Sequence, residues 1–188
     1  KYFVFSYKIK RHIWIRRHNV NNAKKINEII IRQVREADLE AVVAVEATCF
    51  PSAEAASKRA IATRIEAFKT HFFVATYKDE VIGFINGAVI NEERIYDELF
   101  EEARLHNPLG HYQAIYSLAV HPAYGHCGIG SLLMQQMITK GKDDQRKGVI
   151  LTCKETLLPF YERFGYKNLG VSASVHGGAV WYDMLLTI

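Results

Sequence analysis

The sequence predicts an α/β domain, on three observations. Strand and helix signals alternate from Glu28 onward, a pattern that fits neither a helix bundle nor a β-sandwich. A glycine-rich turn joins an apolar strand at residues 113–120 to a helix at 128–140, and a further strand at 149–153 completes a β-loop-α-β unit. The chain has 188 residues, 49% of them hydrophobic, which suits one domain with a single sizeable core.

The elements follow in order. Residues 29–34, IIIRQV, read as the first strand. A helix is expected over 36–47, where Ala37, Val42 and Val45 fall on helical spacing, and it should end before Cys49-Phe50-Pro51 because a residue preceding proline avoids helical angles. A second, alanine-rich helix is expected over 52–68. Residues 71–77 and 81–90 carry the β-branched and aromatic residues of two strands, paired through the short Lys78-Asp79-Glu80 turn. An acidic helix over 96–104 leads to a loop at 106–110 and then to the strand 113–120, whose apolar character places it centrally. Beyond 149–153, Thr156 can cap a helix running to Phe164 with Gly165 as its stop. The remainder divides into two strands about His176-Gly177-Gly178.

Charge is unevenly distributed. The formal net charge is +4, yet residues 1–23 hold six basic and no acidic side chains, leaving 18 basic against 20 acidic in the rest. We therefore expect a basic arm or appended segment at 1–23, unrelated to core function, and a single domain at 24–188. The competing reading makes the arm a contact to nucleic acid or a membrane surface, and deleting it while following activity separates the two. No apolar run approaches the roughly 20 residues that span a bilayer, and Cys49, Cys127 and Cys153 form neither a disulfide ladder nor a paired zinc motif. A cytoplasmic location is expected, with no membrane or nucleic-acid partner and either a monomer or a homodimer.

The chemistry concentrates where LAVHP runs into AYGHCGIGSLLM. Gly125, Gly128 and Gly130 let the backbone approach an anion closely, and the free N–H groups of a first helical turn bind it. A pyrophosphate is the natural ligand. The spacing matches neither the dinucleotide-binding nor the nucleoside-triphosphatase fingerprint. About thirty residues later comes VILTC, then LLPFYERFGY. This pairing resembles the GNAT superfamily of N-acetyltransferases, and within it the serotonin (arylalkylamine) N-acetyltransferase branch. NEER at 91–94, NPLGH at 107–111, LAVH at 118–121, GIGSLL at 128–133 and PFYERFGY at 159–166 carry the resemblance, which covers residues 28–184.

The resemblance implies a mixed, mostly antiparallel central sheet flanked by helices, and acetyl-CoA as cosubstrate with no metal. It implies that Leu118, Ala119 and Val120 pair with the pantetheine arm as an added strand. His126, Cys127, Gly128, Ile129, Gly130 and Ser131 would bind the pyrophosphate. Gly125 stands where the superfamily carries a long polar side chain, so weakened but not abolished coenzyme binding is expected.

Amine acetylation needs a neutral nitrogen, a polarised carbonyl and a proton for the departing thiolate. Tyr161 matches the family's acid for that thiolate. The branch's two strand histidines correspond here to Ala114 and Tyr116, which leaves the base open; Tyr116 can order a water chain from that strand, and His111 is a further candidate because imidazole titrates near neutrality. Phe50, Pro51 and Ser52 match the amine-side loop, while Glu92, Glu93, Asp97 and Glu98 form an acidic segment able to attract a cation. Lys154 stands where relatives carry an acid. His106, His111, His121 and His126 lack ligand spacing for a metal, and no Cys-His motif supports an acyl-cysteine route. The activity expected is direct transfer of acetyl to a small primary amine. The alternatives are a protein or peptide N-acetyltransferase and a non-catalytic acyl-CoA-binding module.

Overall fold

The computed structural model describes residues 28–188, so the basic segment 1–23 lies outside the described residues. The strands are β1 (Ile29–Gln33), β2 (Phe72–Tyr77), β3 (Glu80–Asn86), β4 (Val89–Ile90), β5 (Tyr112–Ile115), β6 (Ser117–Val120), β7 (Gly148–Cys153), β8 (Lys167–Val171) and β9 (Tyr182–Thr187). The α-helices are α1 (Leu39–Cys49), α2 (Lys58–Phe68), α3 (Glu98–Glu101), α4 (Ile129–Asp143) and α5 (Leu158–Glu162).

The strands form two sheets, ordered β1-β2-β3-β6 and β4-β5-β7-β9-β8. Every pairing is antiparallel except β5 with β7. This is the mixed, mostly antiparallel architecture expected. The hairpin of β2 and β3 closes through Lys78 and Asp79, both at positive φ as a tight two-residue turn requires.

Several expected elements are subdivided or shortened, and the acidic helix expected over 96–104 is reduced to the single turn of α3 followed by a 3₁₀ turn, Ala103–Leu105. The strand expected at 81–90 breaks after Asn86, and that at 113–120 breaks at Tyr116, so each run contributes to both sheets. Gly87 sets the first break: a Cβ there would stand 1.7 Å from the Ala114 carbonyl oxygen, so only glycine lets the chains approach this closely. The helix expected from Ser52 starts at Lys58. Ser57 is its N-cap, accepting from Ala60 N at 3.1 Å, and Pro51 starts a separate turn in which its carbonyl accepts from Glu54 N and Ala55 N. Thr156 lies within a short 3₁₀ turn, Glu155–Leu157, that leads into α5.

The helices follow from where apolar residues fall. In α1 the buried positions are Val42, Val45, Glu46 and Cys49, the i, i+3, i+4, i+7 stripe of a core-facing helix, although one member is an acid. This face packs on Ile61, Phe72, Val74, Phe84 and Ala119. On the opposite face of the same sheet, α4 buries Leu133, Met134, Met137 and Ile138 against Phe73, Ile85 and Leu118. A third cluster around Phe68, Leu99, Tyr112 and Ile150 fills the space beneath the five-stranded sheet.

His71, 4% exposed, ties this core together. Its Nδ1 lies 2.6 Å from Gln113 Oε1 and its Nε2 lies 3.8 Å from Asp144 Oδ2. Burial, aided by the nearby Lys140 charge, pulls its pKa down to about 4. A folded-state pKa below the unfolded value gives stability that is present above pH 6.5 and lost as the pH falls toward 4. The shift corresponds to about 3 kcal/mol. Unfolding free energies from urea titrations should fall by that order between pH 7 and 4, and the His71→Gln variant should show a flatter profile.

Candidate active site

Where β5 gives way to β6 the two sheets part. β5 pairs with β7, but β6 is the edge of the other sheet, so one row of its peptide groups faces no strand. A cavity of 220 Å³ lies in this gap. Its walls include Ile115–Leu118 from the break and Leu151–Cys153 from β7, with Tyr161 and Leu157 closing one side. Glu46, Phe50, residues 54–57, Ala60 and Arg64 form the helical side, and Phe100, Glu101, His176 and Trp181 complete the wall.

Tyr161 reaches the cavity because α5 is short and Pro159 sets its first turn. The ring packs edge-on against Phe160 and Tyr166, with centroids 5.0 and 5.9 Å away. Its hydroxyl is bonded to no described residue. Burial pushes the phenol well above its usual range, so Tyr161 holds its proton at every physiological pH.

Tyr116 sits at the break itself. Arg64 lies over its ring with Cζ 5.3 Å from the centroid, and Phe68 and Phe100 meet it edge-on at 6.0 and 5.4 Å. Burial raises this phenol too. Ala114 is fully buried in the core beneath the sheet and contributes nothing polar to the cavity. His111 is exposed ahead of β5, about 16 Å along the strand from Tyr116. It does not line the cavity, so the fold does not bring it together with Tyr161.

Of the amine-side loop, Phe50 lines the cavity, whereas Pro51 and Ser52 lie in the turn that follows it. Glu54 from this loop receives Lys154 Nζ at 2.6 and 2.8 Å, and the same ammonium lies 5.4 Å over the Trp181 ring. Lys154 is thus a brace between β7, the 51–57 loop and the 172–181 segment. Asp97 serves a similar purpose, accepting from the Ser174 hydroxyl and from Val175 N. Glu93 accepts from the Tyr112 hydroxyl. Two members of the acidic segment are therefore engaged in holding the fold.

Below β6, residues 121–128 make the turn into α4. His126 and Gly128 have φ of 60° and 75°, and Gly128 is the N-cap with no side chain capping the helix. The first intrahelical bond runs from Leu132 N to the Gly128 carbonyl, so the N–H groups of Ile129, Gly130 and Ser131 have no partner within the helix. Nothing stands within 4 Å of where a Gly128 Cβ would be, which leaves the helix end open. Leu118 faces the cavity, Ala119 faces α1, and Val120 packs against the α4 cluster. An extended ligand with an anionic end fits this arrangement: peptide groups along β6, then a helix N-terminus for its phosphates. Among the described residues no His, Cys, Asp and Glu group could hold a metal ion.

Glu46 is the residue that sequence reasoning missed. It is 2% exposed, its Oε1 accepts from Ala56 N at 2.7 Å, and its Oε2 is buried without a hydrogen-bond partner. The signal was present: an acid on the apolar stripe of Val42, Val45 and Cys49 is a charge placed where charges are rarely buried unpaired.

The splayed mixed sheet with a glycine-led helix beside its edge strand is a GNAT fold. Residues 35–188 match the family described as acetyltransferase (GNAT) domain, and the chain belongs to that family. Serotonin N-acetyltransferase of Mesocricetus auratus is 30% identical over 105 residues, 55% of this chain and 49% of that protein. The enzyme of Macaca mulatta is 32% identical over 105 residues, 55% of this chain and 50% of that protein. The chain thus spans about half the length of the curated relatives it matches. Among solved structures, the GphF GNAT-like decarboxylase in complex with isobutyryl-CoA superposes with a TM-score of 0.74 at 20% identity, covering 84% of this chain and 98% of that one. The acetyltransferase yncA of Salmonella typhimurium, solved with its cofactor acetyl-CoA, superposes at 0.63 with 16% identity, covering 86% and 94%. No helix among the described residues is long and apolar enough to cross a membrane.

Proposed function

We propose that this domain transfers the acetyl group of acetyl-CoA to the primary amine of a small molecule, arylalkylamines included, by direct attack within a ternary complex. The observation that carries this reading is Tyr161, a buried and protonated phenol in the wall of the cavity that opens beside the free edge of β6. Bound coenzyme would supply the thioester. Leu118, Ala119 and Val120 would hold its pantetheine through backbone groups, and residues 126–131 its pyrophosphate.

Tyr161 then donates its proton to the sulfur that leaves. Its pKa is raised by burial, and a thiolate formed against the same buried wall is raised by the same cause, so the transfer remains matched. Tyr116, packed beneath Arg64, orders the acceptor side. We propose no role in transfer for His111, which lies outside the cavity.

Direct transfer is supported by the state of the cysteines. Cys153 lines the cavity, yet burial pushes its thiol up to about 12, and Cys49 rises to about 11 for the same reason. Neutral thiols are poor nucleophiles. All three cysteines are free and buried, which is in keeping with a reducing, cytoplasmic setting. A small acceptor is supported by the 220 Å³ volume and by the wall that Phe50, Phe100 and Trp181 build over it.

The test is thiol release from acetyl-CoA against tryptamine, phenethylamine, polyamines and peptides. Turnover of a small amine is expected. Turnover of peptides alone would overturn the small-acceptor reading, and coenzyme binding without turnover of any amine would overturn the catalytic one.

A further inference from the structure

We propose that Glu46 is the base that takes the proton from the acceptor amine. This rests on the acetyl-transfer reading and supplies the group that the alanine at 114 cannot.

The geometry gives Glu46 a fixed and an unused oxygen. Oε1 is held by the Ala56 amide at 2.7 Å, which ties α1 to the loop that follows it. Oε2 is buried, bonded to nothing among the described residues, and belongs to a side chain in the cavity wall that Tyr161 shares. A carboxylate oxygen can accept from at least two donors, so a buried one with no partner among the described residues is an unmet demand. An amine N–H, directly or through one water, meets it.

The charges around it suit this task. Arg64 on α2 bonds the Phe100 carbonyl at 2.8 Å and rests on the Tyr116 ring, so its guanidinium faces Glu46 across the cavity without a carboxylate within ion-pair distance. Cys49 lies one turn along α1 as a neutral thiol, and Tyr116 lines the same cavity from the strand break. Burial raises the Glu46 carboxyl to about 7 against the opposing pull of the Ala56 N–H and Arg64. Such a group is half ionised at neutral pH and well placed to exchange protons there. Three other titratable groups in the wall compete for this role: Glu54 is engaged by the Lys154 ammonium at 2.6 and 2.8 Å, Glu101 stands on the Arg64 side, and His176 has Nε2 3.2 Å from the Glu54 carbonyl, a contact that uses this nitrogen as a donor.

The step balances. The nitrogen–carbon bond forms as the carbon–sulfur bond breaks. The first proton of the alkylammonium goes to Glu46 Oε2 before attack, the Tyr161 proton goes to sulfur as it leaves, the second nitrogen proton returns to the Tyr161 oxygen, and solvent takes the proton held on Glu46.

The test compares the wild type with Glu46→Gln and His176→Gln, using acetyl-CoA and an alkylamine across pH 5.5 to 9, roughly the range that brackets neutrality. Glu46→Gln keeps an oxygen for the Ala56 amide. The wild-type kcat/KM should rise with pH through about 7 and then level. Glu46→Gln should lose about 10²-fold in kcat and the acidic limb with it, while binding CoA as the wild type does. An arylamine, already neutral at the assay pH, should be acetylated by Glu46→Gln with a much smaller loss. A limb that persists in Glu46→Gln and vanishes in His176→Gln overturns the assignment. If the substitution impairs folding, the wild-type profile still decides, since no inflection near neutrality also overturns it. A wild-type protein that acetylates no amine overturns the acetyl-transfer reading itself, a result distinguishable from both.

Discussion

Replacing Tyr161 with Phe should lower kcat by about 10²-fold or more, because the leaving thiolate loses its positioned proton donor. The dissociation constant for acetyl-CoA should hardly change. The substitution is a clean one structurally. The hydroxyl bonds to no described residue, so its removal leaves no orphaned partner, and the phenyl ring keeps its contacts with Phe160 and Tyr166. Thermal midpoints of the two proteins should agree closely. Pre-steady-state and steady-state rates of thiol release measure the effect, and undiminished turnover in Tyr161→Phe would refute the acid assignment. Because burial keeps the phenol protonated, Tyr161 should contribute no inflection between pH 6 and 9, a window about neutral that leaves any acidic limb to another group.

Gly87→Ala should be the most damaging single methyl group in the fold. The added carbon would stand 1.7 Å from the Ala114 carbonyl oxygen, 2.7 Å from its carbon and 2.9 Å from Ile115 Cα, all of them backbone atoms that no rotamer change can move. The break between β3 and β4 would have to separate from β5, and the hydrogen bonds from Ala114 N to Ala88 O and from Tyr116 N to Asn86 O lie on that seam. A loss of about 3 kcal/mol or more is expected, at or beyond the upper end for overpacked sites. Denaturant unfolding checks it. An alanine variant as stable as the wild type would mean that the seam is free to open, contrary to the geometry described. Since the same seam positions Tyr116 and Ile115, activity should fall along with stability.

The breaks themselves were not legible in the sequence, and the reason is physical. VIGFINGAVI and QAIYSLAV are apolar almost throughout because both faces of these strands are covered, so nothing in the alternation of side chains reports that the ladder partner changes midway. A glycine in a strand announces close approach but not to what. The start of α2 was misplaced for a different reason. Alanines at 53, 55 and 56 have helical propensity, but Pro51 closes a local turn and Ser57 supplies the side-chain cap, so the helix begins where the cap is rather than where the propensity rises. What was legible was the glycine-rich entry to α4 and the aromatic run about Tyr161, each marked by residue types that a packing role alone would not demand together. Glu46 was legible only as an acid on an apolar helical stripe, because its surroundings depend on the 51–57 loop and on Arg64, neither of which lies in its sequence window.

The wall on the acceptor side is built from partners far apart in the chain. Glu54 and Lys154 are 100 residues apart, Glu54 and His176 are 122, and Asp97 and Ser174 are 77. Contacts of that separation close large loops and form only after the sheets that carry them exist. The cleft is therefore expected to be finished late in folding and given up early on unfolding. A substitution along this rim would hasten the loss of the site while leaving the rate of its assembly nearly unchanged. The lifetime of the site should thus follow a few bridges along its rim more closely than the depth of the core.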